Sequence, residues 1–177
     1  MKINWKNKIY KGKNQDFLTY KNSITNKISQ KANLKIERNK EFPNIIFNDE
    51  KLFFNTRRSG SLFLREVLIY ANDQPIIYAR TVFKKNLRQL TGLVKKLNEN
   101  PLANIVFKKK TKRSDFIFSY ISLLSLSSFI ITKKNFPSRY DQYSNNLAEA
   151  IGTTYHCSIF DYIKFGYSYA CLLNQGL

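Results

Sequence analysis

The sequence predicts a mixed helix-and-strand protein built on an antiparallel hairpin, and three observations predict it. Leu62 to Tyr70 and Ile76 to Phe83 are rich in β-branched and aromatic residues. Ala71-Asn72-Asp73-Gln74-Pro75 between them has turn chemistry. Directly afterwards, Leu87, Leu90, Val94 and Leu97 recur at the spacing of one apolar helix face.

The elements follow in order. Residues 1–15 are Lys- and Asn-rich and read as a loose arm around Trp5. Asp16 to Gln30 carries Phe17, Leu18, Ile24 and Ile28 at incomplete helical spacing, with Ser23 or Thr25 as the cap. Asn33 to Arg38 and Pro43 to Phe47 read as short extended pieces. In the hairpin, alternation puts Phe63, Arg65, Val67 and Ile69 on one face of the first strand. Ile76, Tyr78, Arg80 and Val82 share one face of the second. An arginine among such neighbours either snorkels at a sheet edge or meets an anion in a pocket. Pro101 ends the helix of residues 87–97. Leu102 to Phe107 is expected as a short strand, and Lys108 to Arg113 as a solvated basic turn.

Composition narrows the function. The chain has 177 residues, enough for one domain with a tail, and 43% of them are apolar, enough for a core. Two cysteines, Cys157 and Cys171, exclude a disulfide scaffold and a Cys-rich zinc fold. The single histidine, His156, excludes a His-cluster metal site and argues against a Ser-His-Asp triad. The net charge of +18 admits nucleic acid or an anionic surface as partner. It also follows from a composition dominated by Lys, Asn, Ile, Phe and Tyr, whose codons are AT-rich. The N-terminus has no apolar segment of the secretory kind. The apolar run Phe116 to Ile131 is interrupted by serines and is shorter than the roughly 20 residues a spanning helix needs, so it reads as a buried helix or strand pair. Gly-rich phosphate loops and metal-ligand spacings are absent.

Leu64-Arg65-Glu66-Val67-Leu68-Ile69 followed by Gln74-Pro75-Ile76-Ile77-Tyr78-Ala79-Arg80-Thr81-Val82 resembles the chorismate lyase (chorismate–pyruvate lyase) family. That family has an Arg-Glu-Val/Ile-Leu-Leu strand, a turn with Pro, and an Arg-Thr-Val strand. Pro101-Leu102-Ala103 and Val106-Phe107 are similar to its next segment. Asp16-Phe17-Leu18, Ser23-Ile24-Thr25 and Arg113-Ser114-Asp115-Phe116 are similar to segments upstream and downstream. The similarity spans about residues 15–118.

The resemblance implies an α+β fold, with a central antiparallel sheet and flanking helices around a buried ligand cavity. It divides the chain into the arm 1–15, a lyase-like domain 16–135 and a divergent tail 136–177. It implies conversion of chorismate to 4-hydroxybenzoate and pyruvate, the first step of ubiquinone biosynthesis, by a cytoplasmic monomer. No metal or organic cofactor is implied, and neither nucleic acid nor stable membrane insertion. Arg65 matches the arginine that grips the ring carboxylate, and Arg80 one near the cavity entrance. Leu102 matches a residue whose backbone contacts the ligand, and Ile24 a pocket position usually held by Met. A carboxylate ligand suits an arginine, which binds it through paired charge-assisted hydrogen bonds. For Arg65 the alternative is a surface arginine at a sheet edge, and for Arg80 a plain salt bridge with Glu66.

The match breaks in the C-terminal part. The family's Arg-Arg-Ser motif and its closing Glu have no counterpart after Phe116. One explanation is a frameshift, which the DNA around codons 118–150 tests: a gene lacking Arg-Arg-Ser codons in the shifted frame refutes it. Glu149, in Leu147-Ala148-Glu149-Ala150, reads as helical, and the acid/base group is left unassigned. Without the closing strands, the sheet is expected to have an open edge and turnover to be poor. The rival functions are a non-catalytic aromatic-acid-binding domain and a basic nucleic-acid-binding protein.

Overall fold

The computed structural model describes residues 16, 19–20, 22–38, 46–86, 88–106, 111–113, 117–121, 148–157 and 166–172. The expected N-terminal arm, residues 43–45 of the second extended piece and most of the apolar run after Phe116 lie outside them.

The hairpin forms as its composition dictates. Strand β1 (Leu34–Arg38) pairs antiparallel with β2 (Leu62–Ala71), which pairs antiparallel with β3 (Gln74–Lys84). The connection is tighter than the sequence implied. Only Asn72 and Asp73 turn, with φ of 48° and 62°, and Pro75 already belongs to the ladder opposite Tyr70. Two left-handed residues match the right-handed twist of the flanking strands, and Asn and Asp tolerate that conformation best among non-glycine residues. Asn72 is also tied to the end of β1. The Asn33 N–H donates to Asn72 Oδ1 at 2.9 Å, and the Asn72 N–H to the Asn33 carbonyl at 3.0 Å.

Register fixes what each face of the sheet carries. Glu66 stands opposite Arg80 and Arg65 opposite Thr81, so Arg65 and Arg80 lie on opposite faces. A register shift between Ile69 and Tyr70 removes Ile76 from the expected alternation with Tyr78, Arg80 and Val82. Ile76 joins the core cluster of Ile28, Ile36, Val67, Ile69, Ala71 and Ile77.

Helix α1 (Ile24–Ser29) packs Ile28 and Ile24 into that cluster. It is shorter than the expected 16–30, and Ser23 is its cap, accepting a hydrogen bond from the Asn26 N–H at 3.2 Å. Helix α2 (Asn48–Phe53) precedes a 3₁₀ turn at Ser59–Ser61 that leads into β2. Helix α3 (Arg88–Lys96) follows β3 and buries Val94 and, just past its end, Leu97 against Phe83 and Phe63. The Phe63 and Phe83 ring centroids are 4.9 Å apart. The strand expected at 102–107 is instead a helical turn, α4 (Ala103–Val106). The Asn104 N–H donates to the Pro101 carbonyl at 3.1 Å and the Ile105 N–H to Leu102 at 3.0 Å, and proline's fixed φ favours that first turn.

The C-terminal part joins the same sheet. Strands β4 (Thr111–Arg113), β5 (Ile117–Ile121), β6 (Ala148–Cys157) and β7 (Gly166–Leu172) extend it in the order β1-β2-β3-β7-β6-β4, with β5 also on β6. The open edge expected beside β3 is therefore covered: β7 pairs with Ile77 to Phe83. The helical reading of Glu149 is also corrected, because Glu149 pairs with Leu172 on one side and Tyr120 on the other as part of β6. The helix-compatible pattern Leu-Ala-Glu-Ala yields to ladder pairing on both sides, a tertiary effect that local propensity does not carry.

The hairpin turn offers a direct test. Asn72→Ala removes a side-chain acceptor and puts alanine at positive φ, so it should cost about 1–3 kcal/mol. Asp73→Gly relieves strain and should be neutral or stabilising by up to about 1 kcal/mol. Urea denaturation of both variants checks the pair of opposite signs.

Candidate ligand site at Arg65

Arg65 is 4% exposed, which removes the reading as a surface arginine at a sheet edge. It stands on β2 between Phe63 and Val67. On one side lie Phe63, Phe83, Val94, Leu97 and Leu102, and on the other the cluster of Ile24, Ile28, Ile36, Val67 and Ile69. Three of the four residues expected to contact ligand, Ile24, Arg65 and Leu102, thus share one face of the sheet.

The guanidinium is partly used by the fold. Its Nη2 donates to the Asn98 carbonyl at 3.2 Å and the Asn100 carbonyl at 2.8 Å. These carbonyls belong to the turn after α3, where Asn98 has φ of 46°. A cation suits the negative end of a helix, and a left-handed residue is a common way to end one. The same turn leads through Pro101 to Leu102, so Arg65 fixes the backbone just before Leu102. Arg65 Nε is buried and has no hydrogen-bond partner. No acidic side chain pairs with Arg65 among the described residues. Burial first, and then the nearby charge of Arg38, lowers the Arg65 pKa to about 10, so the group is still cationic at neutral pH. A buried cation with an unsatisfied donor costs free energy that an anion accepting from Nε offsets. Nη2 is already engaged, so the guanidinium offers Nε rather than a wholly free fork.

Arg80 is in the opposite condition. It is 2% exposed and held between two carboxylates. Nε donates to Glu50 Oε1 at 2.6 Å, Nη2 to Glu50 Oε2 at 2.9 Å, and Nη1 to Glu66 Oε1 at 2.5 Å. The Tyr78 hydroxyl donates to the same Glu66 oxygen, and the Phe47 ring lies 4.2 Å from the guanidinium carbon. The shared cavity expected for Arg65 and Arg80 is therefore not what the register provides; the salt bridge to Glu66 is. Glu50 was not legible as its partner, although its position was suggestive. It is the third residue of α2, and the Phe47 N–H donates to its Oε2 at 2.7 Å, the reach-back half of a capping box. Glu50 thus starts α2 and clamps it to the sheet.

On that same face, Tyr70 donates to Glu37 Oε2 at 2.8 Å, and Lys35 pairs with Glu37 at 2.7 Å. The bond to Lys35 leads in holding the Glu37 carboxyl below its ordinary range, while burial leads in raising the Tyr70 phenol.

Among the described residues no group of three or more His, Cys, Asp and Glu could hold a metal ion, and no helix is long and apolar enough to cross a membrane. Glu149 occupies a register row with Leu172, Ile77 and Ile69, the row two residues beyond Val67 on β2.

The described residues form an α+β domain in which an antiparallel sheet carries a buried guanidinium, Arg65, whose Nε has no partner and lies between two apolar clusters. The family model for chorismate lyase matches residues 8–120, and the chain belongs to that family. A search of curated proteins returns no match.

The Arg80 clamp predicts a large stability effect. Arg80→Ala leaves Glu50 and Glu66 buried without their cation and should cost about 3–5 kcal/mol by chemical denaturation. Adding Glu50→Gln and Glu66→Gln to it should recover part of the loss, because the uncompensated charges are then gone.

Proposed function

We propose that the protein binds chorismate through Arg65 and converts it to 4-hydroxybenzoate and pyruvate. The observation that carries this reading is the buried, unpartnered Arg65 Nε between two apolar clusters, within the stretch that matches the family. The ring carboxylate accepts from Arg65, and the ring lies between the clusters. Ile24 supplies apolar surface from the α1 side, and Leu102 presents backbone from the turn that Arg65 fixes. Arg80 acts from the other face, by holding α2 on the sheet.

In the reaction, the ring carbon bearing the hydroxyl loses its hydrogen as a proton. The neighbouring bond between carbon and the enolpyruvyl oxygen breaks, and the ring becomes aromatic. Enolpyruvate takes up a proton and leaves as pyruvate. Positioning by Arg65 supplies the orientation that such an elimination needs. A group that moves the proton typically adds about 100- to 10,000-fold. That group is left unassigned: Glu149 lies on β6, three strands across from β2 and four residues along from the Arg65 row, about 14 Å and 13 Å away in the two directions.

A second reading, a domain that binds the aromatic acid without turning chorismate over, is favoured by one observation. The family match stops at residue 120, and the family's closing Glu motif has no sequence counterpart. Absorbance at 4-hydroxybenzoate formation separates the two. Product from chorismate supports the lyase; calorimetric binding of 4-hydroxybenzoate with no turnover supports the second reading.

Arg65→Ala should weaken 4-hydroxybenzoate binding by about 1.5–3 kcal/mol, the scale of a hydrogen bond to a charged group. Arg65→Lys should recover only part, because an ammonium cannot serve both the Asn98 and Asn100 carbonyls and the ligand from a planar fork. Unchanged affinity in a folded Arg65→Ala variant, checked by circular dichroism, removes the assignment.

A further inference from the structure

Charge is sorted between the two faces of the β1–β3 sheet. Glu37, Glu50 and Glu66 lie on the Arg80 face, where hydrogen bonds and ion pairs join them to Tyr70, Lys35, Arg80 and Tyr78. The Arg65 face carries a second arginine instead. Arg38, the last residue of β1, stands opposite Val67, which puts it on the Arg65 face at the diagonal neighbour position. Diagonal positions on adjacent antiparallel strands are about 7–8 Å apart, within reach of long side chains. Arg38 is half-buried, and no ion pair or hydrogen bond joins its side chain to another group among the described residues. Asp16 and Glu99, the exposed acids on segments flanking this face, pair with neither arginine among the described residues.

Two cations placed this way repel, and each is partly withdrawn from water. The charge of Arg38 is felt at Arg65, where it adds to burial in disfavouring the charged form. Two unpaired cations on one face, at diagonal positions, suit a ligand with two anionic groups.

We propose that Arg38 receives the second carboxylate of a dicarboxylate ligand whose ring carboxylate is held at Arg65. This rests on the Arg65 reading and adds a selectivity residue to it. Chorismate has such a second carboxylate on its enolpyruvyl group, and 4-hydroxybenzoate does not. Arg38 thus adds a contact that the dicarboxylate makes and the monocarboxylate does not.

The test compares two ligands on the full chain by calorimetry. One is 4-hydroxybenzoate, with one carboxylate. The other is 3-(1-carboxyethoxy)-4-hydroxybenzoate, a stable aromatic ether with a second carboxylate beside the hydroxyl. Arg38→Gln, which keeps length and removes charge, should weaken the dicarboxylate about 10- to 100-fold and leave 4-hydroxybenzoate within about twofold. Arg38→Lys, which keeps the charge, should recover part of the dicarboxylate affinity. Equal loss for both ligands, or no loss for either, overturns the Arg38 assignment while leaving Arg65 in place. Failure of the wild-type chain to bind 4-hydroxybenzoate overturns the Arg65 reading and this inference with it.

Discussion

Glu66 stands directly opposite Arg80 in the β2–β3 ladder, and the rest of the structure depends on that register. The pairing puts a guanidinium and a carboxylate on one face, where Glu50 from α2 completes the clamp. The same pairing sends Arg65 to the other face, opposite Thr81 and away from every carboxylate of the hairpin. A slip by one residue exchanges the faces of one strand, buries Glu66 among the leucines and isoleucines, and leaves Arg80 without its partners. The register is thus held by apolar patterning on both faces and by an ion pair that tolerates no other alignment. A buried ion pair adds little net stability, since desolvation offsets most of its attraction, but breaking it is expensive. Its effect here is on which arrangement is allowed.

Seen from the Arg65 face, the two arginines of the hairpin have complementary tasks. Arg80 is saturated: every donor group of its guanidinium meets a carboxylate oxygen. Arg65 is unsaturated, with its Nη2 on two helix-end carbonyls and its Nε buried without a partner. A fold that satisfies the first completely and the second incompletely keeps its electrostatic demand at one place. Arg38 adds to the demand there. The apolar clusters on either side exclude water from the same place, which strengthens any charge-assisted bond formed within it.

The hairpin, the Ser23 cap and the helix of residues 88–96 were legible because each rests on local rules: alternation, a side-chain acceptor at a helix start, an apolar stripe. The faces of Arg65 and Arg80 were not, since alternation was followed along each strand alone: a two-residue turn without a bulge sets Arg65 opposite Arg80, and the extra residue at Ile76 moves Arg65 opposite Thr81. Leu102 to Phe107 was misread for a related reason. Short apolar runs do not distinguish a strand from one helical turn, and Pro101 just ahead of it tips the choice. Glu149 was misread because pairing with β5 and β7 is made across long sequence separations. Glu50 and Arg38 carried no local signal beyond position, and their importance appears only when the sheet brings α2 over Arg80 and β1 beside Arg65. The family resemblance supplied Ile24, Arg65 and Leu102 together, and the structure places all three on one face.

The central claim is that Arg65, and not Arg80, is the anion-receiving arginine. Both have buried Nε–H groups, so arginine side-chain ¹H–¹⁵N spectra during titration with 4-hydroxybenzoate observe them separately. The account predicts that the Arg65 Nε–H signal shifts strongly downfield with ligand, as a hydrogen bond forms to a carboxylate, while the Arg80 signal stays in place. A titration in which Arg80 moves and Arg65 does not contradicts it.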